Sequence, residues 1–225
     1  MPRLRDHPAG LHLGLMLAMT FSTGVVDALG YLGLDKVFAG NMTGNVVVLA
    51  MALTGAGGLP VVGPLLALAF FIVGAAIAGR TLRRLAAGWA ARTTVLFAGV
   101  AALLAIVAIV AFALPQHRAE WVTYAITGAL GLAMGCQAGS ARHIGVSDVT
   151  TVVVTSTLVG LAFDSRFGRG AAGHPWERRV GAILLLMAGA ATGALLLRLG
   201  LGWPALCAAV VSAAVAVLGA VGRPH

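Results

Sequence analysis

Apolar residues fall into eight runs along the chain, at about 11–34, 41–53, 60–79, 93–114, 121–140, 149–163, 180–197 and 203–221. Six of them approach or exceed the ~20 residues that a helix needs to cross the hydrocarbon core, whereas the second and sixth, at roughly 13–15 residues, lie in the range of re-entrant or interfacial segments. Each short run follows directly on a longer one, across a polar hinge at 33–45 in the first case and 140–151 in the second. The pattern predicts an all-α, polytopic transmembrane helical bundle with two interrupted segments.

The first hinge concentrates the chemistry of the N-terminal half. Asp27, Asn41, Thr43 and Asn45, with several glycines that include Gly44, stand inside sequence that is otherwise apolar. Unsatisfied backbone groups and carboxylates are costly in hydrocarbon and persist only where they pack inside protein or line a cavity.

The two halves of the chain match in order. Asn41-Met-Thr-Gly-Asn-Val-Val-Val aligns with Asp148-Val-Thr-Thr-Val-Val-Val-Thr, setting Thr43 against Thr150. Val26-Asp27-Ala28 falls opposite Cys136-Gln137-Ala138, and Gly74-Ala-Ala opposite Gly189-Ala-Ala. Paired interrupted segments in two halves are the best sequence pointer to a transporter site.

Composition places the chain firmly in a bilayer. Of 225 residues, 60% are hydrophobic and 10% charged, with a mean hydropathy of +0.97, whereas soluble domains carry about 25% charged residues. The partner is the lipid bilayer. The net charge of +8 implies no nucleic acid, because the basic residues sit between apolar runs and read as topology signals and headgroup contacts. The apolar run after Arg3 and Arg5 outlasts a signal-peptide core and continues through Asp27, so it reads as a retained first helix. Cys136 and Cys207 lie within apolar runs and imply neither a disulfide nor a metal site.

Charge bias counts the crossings. The clusters are Arg3/Arg5, then Arg80/Arg83/Arg84/Arg92, then Arg166/Arg169/Arg178/Arg179. If every run crossed, the last two clusters would face opposite sides. If each long-plus-short pair makes one net crossing, all three fall on the cytoplasmic side. That arrangement gives about six net crossings, with three per half and the halves inverted. The expected organisation is one transmembrane domain over 1–225, with repeat halves at about 11–114 and 121–221. Gly74 and Ala78, or Gly189 and Gly193, form small-residue faces that permit a homodimer without requiring one. Trp89, Trp121, Trp176 and Trp203 near segment ends read as an aromatic belt.

The blocks Val26-Asp27-Ala28, Asn41-Met-Thr-Gly-Asn45, Gly135-Cys-Gln137 with Arg142, and Thr150-Thr-Val-Val-Val-Thr155 with Thr157-Leu158 resemble the bacterial YoaK family, also filed as a domain of unknown function, DUF1275. The resemblance covers nearly the whole chain. It implies a small multi-pass protein of the bacterial inner membrane and leaves its activity open. The positions carried over are Asp27, Asn41, Thr43, Gly44, Asn45, Gln137, Arg142, Thr150 and Thr151. The chain departs from the family at Gln137-Ala138-Gly139, where an amide usually follows the glutamine.

Two functional readings follow. In one, the chain is a small secondary transporter or permease for a small polar solute, proton- or cation-coupled through Asp27, with neutral hydrogen bonds from the other carried-over polar residues. In the other, it is a non-transporting module that binds a lipid, a small molecule or a partner protein. Asp27 then pairs with Arg142 or caps the helix after the hinge. Asn41, and Asp148 or Ser147 in the second half, serve as N-caps, and the threonines at 150–157 bind helix to helix. No catalytic signature is present: there is no Gly-x-Ser-x-Gly, His-Glu-x-x-His or phosphate-cradling loop. The expectation is no enzyme and no cofactor.

Overall fold

The computed structural model describes residues 8–114, 119–145, 154–163 and 176–222, and among them all regular structure is helical. Helix is what a bilayer demands of a chain without a closed barrel, because each segment then satisfies its own backbone donors and acceptors. The helices are α1 (Pro8–Gly33), α2 (Met42–Leu53), α3 (Val62–Leu82), α4 (Ala91–Ala113), α5 (Glu120–Ile144), α6 (Val154–Phe163), α7 (Trp176–Leu197) and α8 (Gly202–Val221), with a 3-10 turn at Ala56–Gly58 before α3.

Five helices, α1, α3, α4, α7 and α8, are long and apolar enough to cross a membrane. α5 has the length, at 25 residues, but is less apolar because its small and polar residues face protein: Thr127, Gly131, Gly135, Gln137 and Ser140 are all buried. α2, at 12 residues, spans ~18 Å by the helical rise and does not reach across a ~30 Å core. α6 is shorter still over its described 10 residues.

α5 runs past the predicted hinge start at Ser140 to Ile144. Nothing in Ser140-Ala-Arg-His breaks a helix, and the stop comes at Gly145, whose φ of 70° supplies the left-handed C-terminal cap. Arg142 and His143 are therefore helical. α7 begins at Trp176 rather than Val180, with Glu177 in its first turn, where a carboxylate suits the helix dipole.

Named contacts set the helix directions. α1 and α5 are antiparallel: Ile144 clusters with Leu15 and Met16, while Val122, Ile126 and Leu130 share a core with Val25, Val26 and Leu29. α1 and α7 are parallel, since Gly189 meets Phe21 and Gly193 meets Val25. α3 and α5 are parallel, since Gly131 meets Ala67 and Gly135 meets Phe71. α8 runs antiparallel to α1, with Leu201 on Gly33 and Leu11 on Gly222. α4 opposes α8, with Phe112 on Gly202 and Trp89, just before α4, on Gly219. Arg80, Arg83, Arg84, Arg92, Arg142, Arg178 and Arg179 consequently lie toward one end of the bundle, the arginine-rich end, and Lys36, Glu120 and Arg198 lie toward the other.

The closest approaches are made by glycine. A Cβ on Gly24 would strike the Leu186 carbonyl, and one on Gly189 the Phe21 carbonyl. The other parallel pair repeats this, with Gly74 under Leu132 and Gly135 under Phe71. Absent side chains let backbones pack at this range. The small-residue faces of α3 and α7 are thus used within the chain, Ala78 against Gly139 and Gly193 against Val25 and Ala28.

Trp89 also departs from expectation. It is 6% exposed, stacked between His12 and Phe97, and its indole N–H donates to Thr94 Oγ1 at 2.9 Å. Trp121, Trp176 and Trp203 are exposed, as belt residues should be.

Candidate functional site

After α1 ends at Gly33, the chain turns back and runs down beside it. The Val37 N–H donates to the Gly30 carbonyl at 3.3 Å. Three residues later the Gly40 N–H donates to Asp27 Oδ1 at 2.7 Å, with the backbone amides of Ala39 and Asn41 facing the same carboxylate. Gly40 packs on the γ-methyl of Thr23, which a Cβ would approach to 2.7 Å. From Gly33 back to the level of Thr23 is ~15 Å along the helix axis. The 34–40 stretch is therefore re-entrant. α2 starts at this depth and climbs back, since the following α3 begins with Gly63 against Val37 and Asp35.

Two asparagines hold the turn. Asn41 is the N-cap of α2, its Oδ1 accepting the Gly44 N–H at 3.2 Å. Asn45 is fully buried; its Oδ1 accepts the Phe38 N–H at 2.8 Å, and its amide nitrogen donates to the Phe38 carbonyl and lies 3.6 Å from Met42 Sδ. Leaving such groups unpaired in an apolar interior costs roughly 1–3 kcal/mol each.

The re-entrant turn forms one wall of a cavity of about 530 Å³. Asp27, Tyr31, Phe38, Asn41, Thr43 and Gly44 line it on this side, and Val154 and Thr155 of α6 with Leu186 of α7 line the other. Tyr31 and Phe38 stack, with ring centroids 4.9 Å apart. Among the described residues, Asp27 is the one Asp, Glu, Lys, Arg or His in the lining. At the far end of α6, Gly160 packs on the Arg179 guanidinium near the arginine-rich end. α2 starts at this cavity, the first described residues of α6 line it, and the two helices run from it toward opposite ends of the bundle.

Of the residues expected in a site, the fold gathers Asp27, Asn41, Thr43 and Gly44 at the cavity. Asn45 is committed to the hinge. Gln137, 1% exposed, lies behind the cavity in the α1–α5 seam, its Nε2 donating to Thr23 Oγ1 at 2.8 Å and to the Met19 carbonyl at 3.3 Å. Its Oε1 is buried and has no partner among the described atoms.

Arg142 is exposed on the last turn of α5. With Gln137 level with Thr23 and the helices antiparallel, Arg142 and Asp27 are separated by roughly nine residues of axis, ~13 Å, so the Asp27–Arg142 pair is not made. Thr150, Thr151, Ser147 and Asp148 lie outside the described residues. Tyr31, Phe38, Thr155 and Leu186 are lining residues not anticipated from sequence. Tyr31 carried a signal, standing four residues after Asp27 on the same helical face, and so did Thr155, in the hydroxyl-rich block at 150–157.

Helices of spanning length, two short apolar helices and a polar cavity lined by both define a multi-pass helical membrane protein. Its family follows from comparison. The model of the family described as "Protein of unknown function (DUF1275)" matches residues 15–218, and the chain belongs to that family. It is 32% identical over 154 residues to the UPF0700 transmembrane protein YoaK of Bacillus subtilis (strain 168). The match covers 67% of this chain and 65% of that protein, so it spans slightly less than two thirds of the relative's length. No solved structure matches the chain.

Proposed function

We propose that the chain is a small secondary transporter for a polar solute, built from two inverted halves whose short helices meet at the Asp27 cavity. The observation that carries this reading is that the start of α2 and the first described residues of α6 line one cavity and the two helices leave it in opposite directions, the arrangement by which broken helices present donors and acceptors to a substrate. The inversion is supported by the matching glycine contacts: α1 on α7 through Gly24 and Gly189 has its counterpart in α5 on α3 through Gly135 and Gly74. That register sets Asp27 opposite Ala138, one residue from the sequence alignment that set it opposite Gln137. The Arg clusters put the arginine-rich end in the cytoplasm.

The test is solute-dependent proton flux in proteoliposomes holding a pH-sensitive dye, for wild type and Asp27→Asn. Flux that the substitution abolishes supports the reading. Wild-type flux from Asp27→Asn sinks the role given to the carboxylate.

A non-transporting binding module is favoured by a different observation, that Asp27, Asn45 and Gln137 each hold one part of the fold to another. Binding at the cavity without flux in either direction would select it.

A further inference from the structure

We infer that the cavity takes a small organic cation, an ammonium compound with its charge at Asp27 and its carbon skeleton against Tyr31 and the apolar wall; the inference rests on the cavity being the binding site proposed above.

Three observations carry it. The first is charge. Among the described residues Asp27 is the one carboxylate in the lining, and no described Lys, Arg or His lines the cavity to balance it; Lys36 is exposed on the loop outside. A charge held away from water needs an opposite charge close by.

The second is that the positive features of the hinge are already answered from within. The Gly44 N–H at the start of α2 goes to Asn41 Oδ1, and the amides at 39–41 face Asp27. An anionic solute would meet the carboxylate first. The helix start, which by itself invites anions, already has its Gly44 N–H taken by Asn41.

The third is the wall opposite the charge. Phe38 has one ring edge against Gly44 and is stacked on Tyr31, whose side chain stays 41% exposed. An available tyrosine ring beside a carboxylate suits an alkylammonium group, while Val47, Val154 and Leu186 offer contacts to methyl groups. About 530 Å³ is far more room than one inorganic ion needs and falls within the range of small-molecule sites.

Binding of methylammonium, tetramethylammonium and choline to the purified protein is measured by calorimetry in detergent, against 3,3-dimethylbutan-1-ol, the uncharged isostere of choline, and acetate. The expected result is binding of at least one cation that neither the alcohol nor acetate displaces. Asp27→Asn should weaken it by about thirtyfold or more. Tyr31→Leu, which leaves the Gly40 latch untouched, should weaken it several-fold and tetramethylammonium more than methylammonium.

Equal binding of the alcohol, preferential binding of acetate, or no cation binding at millimolar concentration overturns the inference. The readout is separable from transport. Cation binding without flux upholds this inference and overturns the transporter reading; flux of an uncharged or anionic solute does the reverse.

Discussion

Asp27 and Gly40, thirteen residues apart, are joined by a 2.7 Å hydrogen bond from the glycine amide to the carboxylate. This bond ties the lowest point of the re-entrant turn to the C-terminal third of α1, so the most conspicuous polar residue of the N-terminal half both faces the cavity and fastens its wall.

The latch makes a prediction about two substitutions at one position. Asp27→Asn keeps an oxygen for the Gly40 N–H and should fold with little change in stability. Asp27→Ala leaves that amide without its partner and should lower stability by ~1–3 kcal/mol. Thermal unfolding in detergent measures both. An alanine variant as stable as wild type would show that the latch does not hold the hinge.

Asn45 should be less forgiving than Asp27. Its amide satisfies both backbone groups of Phe38 in a fully buried position. Asn45→Ala orphans a donor and an acceptor and is expected to cost ~2–4 kcal/mol, and Asn45→Asp, which sets a buried carboxylate against the Phe38 carbonyl, should cost at least as much. Loss of folded yield or a lowered unfolding midpoint reports the effect; a neutral alanine variant contradicts it.

The glycines separate into two groups. Gly24, Gly189, Gly74 and Gly135 sit under the carbonyls of facing helices, whereas a Cβ at Gly14, Gly79 or Gly99 would meet nothing within 4 Å. Alanine in the first group should cost ~1–3 kcal/mol by overpacking, and in the second should be neutral or slightly stabilising. Equal effects in both groups would mean that the α1–α7 and α3–α5 seams are looser than described.

Crossing number is open to direct measurement. In a background lacking Cys136 and Cys207, single cysteines at Ala86 and Gly170 should label from the cytoplasmic side only, and one at Thr54, beyond α2, from the opposite side only. Labelling of Ala86 and Gly170 from opposite sides would mean that α6 completes a crossing, and the inverted arrangement would fall.

Much of the candidate site was legible in one dimension because the bilayer penalises polarity so heavily. An Asp and an Asn-x-Thr-Gly-Asn block in apolar sequence stand out on hydropathy alone, and of these Asp27, Asn41, Thr43 and Gly44 do line the cavity. Asn45 belongs to the same block yet turns away into the hinge, because its place depends on where Phe38 returns in the turn. Arg142 looked like a partner for Asp27 and is not, because the helix-stopping Gly145 lies beyond it and carries it out to the bundle end.

By itself the sequence determined that this is a membrane protein, where its long helices lie, and which two apolar segments are shorter than the rest. Those properties rest on local quantities, hydrophobic length and the need of each segment to satisfy its own backbone. Only the tertiary structure decided what the polar residues do. Gln137 meets Thr23 across 114 residues of chain, and Leu186 and Thr155 reach a cavity begun at Asp27. Such partners are chosen by how helices pack, through glycines that let two backbones touch, and that choice is made between segments distant in the chain.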